Sequence, residues 1–347
     1  MIEELKKELI AIEVIRTLYS QFEKFPEDAS NNRNAPFHEA FLNAFADKLD
    51  GKVKSIPIFI SLSSWMHGLN TSLGQSFLEK TAHILCDGEK KEFTTKKETM
   101  LQISENQRSI INNIITDLTN NHRIPNCNTE ESECFITGEA NIDATDFTVD
   151  IFFEDETQIV CIELKTVKPN KSVFKVEKQK ILEAKSALKH RSPNKTIKYF
   201  LGFPFDPLSD TSTGFDKQRF MDYSVGFRKY YTENEFLLAS ELWDFLSGEN
   251  GTMETILSII NAIATVDFLE KYRFLINKNN IASQADRYSE ILQSWFLLRE
   301  KRIIDNYSNI AHKIQRDRTK IKIFNQEMFS DDGCYNEKRF NTLISLI

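Results

Sequence analysis

The sequence predicts an α/β fold, a strand–helix–strand core in the middle of the chain with helices on both flanks. Three observations predict it. Apolar residues recur at helical spacing before about residue 121 and after about residue 232. From Cys134 to Thr166 the pattern turns strand-like, in CFITGEANIDATDFTVDIFFEDETQIVCIELKT. A charged helical stretch at 171–190 then leads to one more strand, TIKYFLGFPF, ending at Asp206-Pro207.

Residues 2–24 read as an amphipathic helix stopped by Phe25-Pro26, because proline cannot continue a helix. The polar loop PEDASNNRNAP follows, then a helix from His38 to Leu49. SIPIFISLSSWMHGLNTSLGQ reads as irregular and apolar, leading into a helix from about Leu73 to Leu85. Over 105–121, Ile110, Ile111, Ile114, Ile115 and Leu118 share one helix face. The last part, to about residue 325, is helical again in ELWDFLSG, ETILSIINAIATVDFLEKY and EILQSWFLLREKRIIDNY. At 347 residues the chain can bury a large core, as one elaborated domain or two closely joined ones. The expected division is a helical region at 1–60, a core at 61–265 and a second helical region at 266–347.

Composition narrows the class. A hydrophobic share of 41% and a charged share of 27% belong to an ordinary globular protein. No apolar run is long enough to cross a bilayer, and the charged, helical N-terminus lacks the apolar stretch of a signal peptide. The five cysteines form no CxxC pair, which predicts reduced thiols in a cytoplasmic protein. The six histidines make no HxH or HExxH pattern, so zinc is poorly supported. The net charge of −7 argues mildly against nucleic-acid binding as an average, but a binding face needs only one basic surface.

The informative feature is a hairpin. Phe147–Phe153 and Gln158–Thr166 are β-rich runs separated by Glu154-Asp155-Glu156-Thr157, a turn of hairpin length. If the turn is centred between Asp155 and Glu156, Asp150 lies opposite Cys161 and diagonal to Glu163, with Lys165 on the same face. Carboxylates gathered on an apolar hairpin repel unless a cation is present, and a hard divalent ion such as Mg2+ takes one or two of them. Acid-x-Lys is a common tripeptide. Glu4-Leu5-Lys6 reads as a solvated helix start, and Asp50-Gly51-Lys52 and Glu89-Lys90-Lys91 as surface turn or loop. The apolar strand and the parity with Asp150 set the 163–165 copy apart.

Between Lys165 and Lys198 eleven basic residues face only two acids, Glu177 and Glu183. A helix from about Ser172 to Lys189 would turn Val173, Val176, Ile181, Leu182, Ala184 and Leu188 inward and its lysines outward, toward phosphate. The expected DNA contacts are Lys168, Lys171, Lys175, Lys178 and Gln179. A second basic stretch, at 299–322, serves either a DNA backbone or solubility.

Asp150, Glu163-Leu164-Lys165 on a second strand, a helix and then TIKYFLGFPF resemble the PD-(D/E)XK nuclease superfamily, with Val149 where a proline is usual. SLSSWMHGLNTSLGQSFLEKTAHIL, IELKTVKPNKS, LGFPFDP and ELWDFLSGENGTMETILSII are together similar to the TdeIII type of type II restriction endonuclease, over about 60–265. The resemblance implies a homodimeric, Mg2+-dependent enzyme (Mn2+ substituting) that cleaves double-stranded DNA at a short palindrome, GGNCC for that family, beside a partner methyltransferase. It also implies that Asp150 and Glu163 bind metal with the Leu164 carbonyl, that Lys165 serves the attacking water, and that Glu79 adds an acid. Glu139, Asp143 and Asp146 are alternatives to Glu79. A repair or recombination nuclease of the same fold, an inactive DNA-binding relative and a helical interaction protein remain the competing readings.

Overall fold

The structure is a computed structural model that describes residues 2–28, 36–49, 51–53, 55–97, 99–136, 139–165, 171–223, 226–330 and 332–347. The chain divides into two compact units, one built mainly from Leu78–Thr255, the other from Glu3–Phe77 and Ile256–Ile347. Both helical ends therefore fall in one unit, whereas the expected boundaries at 60 and 265 drew them as separate regions.

The first unit holds the sheets. Its strands are β1 (Glu89–Phe93), β2 (Gln102–Ile103), β3 (Ile142–Asp143), β4 (Phe147–Glu154), β5 (Gln158–Leu164), β6 (Thr196–Phe203) and β7 (Phe236–Leu238). Five form a mixed sheet in the order β1-β4-β5-β6-β7, and β2 pairs with β3. The β1/β4 and β4/β5 pairs are antiparallel, while β5/β6 and β6/β7 are parallel. The central strand β5 buries Ile159, Val160, Cys161 and Ile162 in succession, because both faces of a strand at a parallel junction are covered. The parallel connection from β5 to β6 carries the helix Lys171–Arg191, in which all eight residues from Ile181 to Leu188 are buried.

The hairpin register differs from the expectation. Ile151 pairs with Ile162 and Phe152 with Cys161, so Asp150 stands opposite Glu163 rather than Cys161. The cause is local. Asp155 Oδ1 accepts from the Thr157 and Gln158 amides at 2.7 and 2.9 Å and from Thr157 Oγ1 at 2.8 Å. This turn leaves Glu156 and Thr157 as the loop residues. The slip is two residues, so side-chain parity survives.

Three further elements depart from the reading. The apolar stretch SIPIFISLSSWMHGLNTS, expected to be irregular, is a helix over Ile56–Ser72, with Ser55 Oγ accepting from the Ile58 amide and Pro57 in the first turn. It runs through a π-helical segment, Leu73–Leu78, into the helix Glu79–Cys86. Cys134 ends a helix, Cys127–Cys134, capped by Asn126, and does not begin a strand. Glu89-Lys90-Lys91 lies on the edge strand β1, not in a turn.

The second unit is helical. Tyr19 stacks on Tyr272 at 4.4 Å and Phe268 on Trp295 at 5.4 Å. The basic stretch 299–322 is partly consumed within this unit. Arg299 binds Glu8 at 3.2 Å and Lys301 binds Asp305 at 2.8 Å. Arg302, Arg316, Arg318 and Lys322 are exposed.

Candidate active site

The open end of the β4/β5 hairpin gathers the charged groups. In β4, Val149 and Ile151 are buried on one side of the sheet. Strand alternation turns Asp150 between them to the other, where it is 24% exposed. Its Oδ2 accepts from the Leu164 amide at 2.9 Å, tying the two strands together. Its backbone carbonyl lies 2.7 Å from His83 Nε2, on the helix that begins with Glu79.

Glu163 is 13% exposed and clamped. Lys165 Nζ donates to Oε1 at 2.8 Å, Lys180 Nζ to Oε2 at 2.6 Å, and Tyr199 Oη to Oε2 at 3.3 Å. Burial would push this carboxyl up, but the ammonium groups of Lys180 and Lys165 outweigh it and hold it below the ordinary glutamate value. Burial acts against the charge on Lys180 too, and Glu163 and Glu177 more than restore it. The Tyr199 hydroxyl is held well above its usual value by burial and by the nearby Glu163 charge.

Glu79 joins from the helix Glu79–Cys86 through a lysine. Lys90 Nζ lies 3.2 Å from Glu79 Oε2 and 3.3 Å from Asp150 Oδ1. Lys90 is desolvated, yet Glu79 and Asp150 prevail and raise its value. The structure thus brings Glu79, Asp150, Glu163, Leu164 and Lys165 to one end of the sheet. Asp143 and Asp146 go elsewhere: Asp143 accepts from Gln102 at 3.2 Å and Asp146 from the Thr95 amide at 3.0 Å.

Among the described residues no three His, Cys, Asp or Glu side chains form a ready-made metal cage. The donor set nevertheless suits a hard cation that keeps most of its water. Four carboxylates (Glu79, Asp150, Glu163, Glu177) meet three ammonium groups (Lys90, Lys165, Lys180), leaving one negative charge among them. The Lys90 ammonium already bridges Glu79 and Asp150, so that pair accommodates positive charge.

The basic helix is rearranged relative to expectation. Lys178 is fully buried, paired with Glu130 at 2.6 Å and with Glu235, so it is not a DNA contact. Lys185 is also buried, bonded to Glu131 at 2.6 Å. Val176, expected inside, is exposed. Gln179 donates to Asn112 and Glu183, at 3.2 and 3.3 Å, rather than to Glu79, Asp150 or Glu163. Lys175 is exposed. Lys168 and the side chain of Lys171 lie outside the described residues.

Sequence reasoning missed Lys90, Glu177, Lys180 and Tyr199 as members of the cluster. The available signal was the Glu177/Lys180 spacing of three residues, which puts an acid–base pair on one helix face. For Lys90 there was only an acid-x-Lys tripeptide in a charged run.

Known proteins match this chain along most of its length. The family model described as HinfI, a type II restriction endonuclease, covers residues 2–264. The type II restriction enzyme MjaII of Methanocaldococcus jannaschii is 39% identical over 98% of this chain and 96% of its own. The resemblance read from the sequence holds at the level of type II restriction endonucleases, and the family that matches is HinfI rather than the TdeIII type. The chain belongs to the HinfI family of type II restriction endonucleases.

Proposed function

We propose that the protein hydrolyses double-stranded DNA at a short palindromic site, with a divalent ion, Mg2+ or Mn2+, held at the open end of the β4/β5 hairpin. The observation that carries this is Asp150 opposite Glu163, with Lys165 Nζ 2.8 Å from Glu163, in a chain of this family. This arrangement supports the reading of a PD-(D/E)XK core. Asp150 and Glu163 hold the ion with the Leu164 carbonyl, and Glu79 supplies a further acid. The ion, when bound, provides Lewis acidity toward the phosphoryl group. Lys165 orients the attacking water and offsets charge that develops on the phosphate. Asp150, bonded to the Leu164 amide, keeps the two strands in register so that these groups stay together. Lys175 adds attraction for the backbone.

A palindromic target calls for a twofold dimer with one centre per strand. The site GGNCC rests only on the likeness of the quoted segments to the TdeIII type, a finer reading than the family match supplies, and is part of the proposal, as are a cytoplasmic location and a partner methyltransferase that protects the host sites. Among the described residues no single helix is long and apolar enough to cross a membrane.

The test is digestion of a plasmid with Mg2+ or Mn2+, with and without EDTA, followed by sequencing of the ends. Discrete fragments ending at GGNCC support the whole reading, and discrete fragments at another palindrome retain the enzyme and replace the site. Random nicking favours a repair nuclease. Absence of cleavage with either ion overturns the activity.

A further inference from the structure

Four half-buried charges close into a ring around the site lysine. Lys165 binds Glu163 Oε1 at 2.8 Å, and Glu163 Oε2 binds Lys180 at 2.6 Å. Lys180 then reaches Glu177 Oε2 at 3.1 Å, and Glu177 Oε1 returns to Lys165 at 3.5 Å. Signs alternate around the ring, and each carboxylate oxygen meets one lysine. All four side chains are 13–19% exposed. Drawing four charges out of water is costly, and an apolar cluster would stabilise the same corner at least as well. A structural role alone gives no account of the ring.

The contacts are uneven in a way that separates two tasks. Those on Glu163 are short, 2.6 and 2.8 Å, and those on Glu177 are longer, 3.1 and 3.5 Å. Glu177 and Lys180 are three apart on one helix, so the helix backbone sets their spacing. A Lys165 side chain that turns toward a phosphate loosens its hold on Glu163. Glu163 would then keep only the Tyr199 hydroxyl, at 3.3 Å, and face the like-charged Asp150 across the hairpin, had it no second cation.

We propose that Lys180 and Glu177 are positioning residues of the cleavage centre. Lys180 holds the Glu163 carboxylate in place when Lys165 moves to the substrate. Glu177 tethers Lys180 and gives Lys165 its resting anchor. The proposal rests on the endonuclease reading above, in which Glu163 is an ion ligand.

Two measurements test it, Mn2+ binding to the DNA-free protein by calorimetry and plasmid cleavage resolved into kcat and KM. Lys180→Met removes a positive charge beside Glu163, so Mn2+ binds about fivefold more tightly. Its kcat nevertheless falls roughly 10- to 100-fold at unchanged KM, because Glu163 is no longer held. Glu177→Gln leaves both lysines on Glu163, so Mn2+ binds more weakly while kcat falls less. Lys180→Arg restores the wild-type values of both.

Tighter ion binding with slower cleavage is a combination that loss of packing would not give. Unchanged kcat in Lys180→Met, or weaker Mn2+ binding in it, overturns the proposal. Should Lys180→Met fail to fold, as judged by circular dichroism, Glu177→Gln and Lys180→Arg decide, and wild-type-like Mn2+ binding in Glu177→Gln overturns it. A wild type that binds Mn2+ but cuts no plasmid would instead refute the endonuclease reading.

Discussion

Lys178 and Lys180 stand two residues apart on one helix and serve unlike purposes. Two residues rotate about 200° around a helix axis, so the two ammonium groups leave on nearly opposite sides. Lys178 is sealed among Glu130, Glu235 and the ring of Tyr231, 5.3 Å away. The carboxylates also accept from the backbone, Glu130 from the Asn126 amide at 3.0 Å and Glu235 from the Thr232 amide at 2.8 Å. Lys180 meets Glu163 at 2.6 Å, 18% exposed at the edge of the site. A run of lysines in a sequence is therefore not a surface. What decides a lysine's role is which neighbouring element brings it an acid, and whether water still reaches it.

The comparison can be broken at four points. The largest effect is expected on the site side. Glu163→Gln should lower plasmid cleavage about 10^4-fold, ~5 kcal/mol of barrier, measured at a temperature where the variant stays folded. Cleavage within tenfold of wild type would remove Glu163 from the centre. On the core side, Lys178→Met strands two buried carboxylates and should cost roughly 3–5 kcal/mol of stability in urea unfolding. At a temperature where it stays folded, this variant should cut DNA at close to the wild-type kcat. A selective loss of kcat would put Lys178 in the site after all.

Acid should weaken the Glu163 contacts. The folded-state value of Glu163 is depressed. Its contribution to stability is therefore complete above the unfolded value of about 4.3 and is lost as the pH falls through the lower, folded value. The stability gap between wild type and Glu163→Gln should accordingly narrow from neutral pH to about pH 3.5. A constant gap would mean that Glu163 is not held ionised by its lysines. The smallest effect belongs to exposed Lys175. Lys175→Ala should weaken DNA binding equally for all sequences and reduce the salt slope by about one unit. An unchanged slope would leave this face of the helix without a phosphate contact.

The sequence made some of this legible for physical reasons. Strand parity placed Asp150 with Glu163, and parity is insensitive to the two-residue slip that the Asp155 turn imposes. The register itself was not legible, because three hydrogen bonds to one carboxylate oxygen set it. β1 was hidden because EKKEF is charged, as an edge strand facing water on one side can be. Helix Ile56–Ser72 was hidden by its serines, glycine and asparagine, residues of poor helix propensity, and by the lack of a buried face, since Ser61 alone is buried in it. Lys178 and Lys185 looked exposed because no sequence pattern announces Glu130, Glu131 and Glu235 as their partners. Glu79 reached the cluster through Lys90, a link between a helix and an edge strand that spacing along the chain does not encode.

The central claim is that cleavage resides at the open end of the β4/β5 hairpin. The most direct measurement is single-turnover cleavage of supercoiled plasmid with Mg2+ by Asp150→Asn beside wild type. The asparagine oxygen can still accept from the Leu164 amide, so the hairpin should keep its register and the protein its melting temperature. The account predicts intact protein, retained DNA binding and cleavage lowered by about 10^3-fold or more. Wild-type cleavage by Asp150→Asn would contradict it.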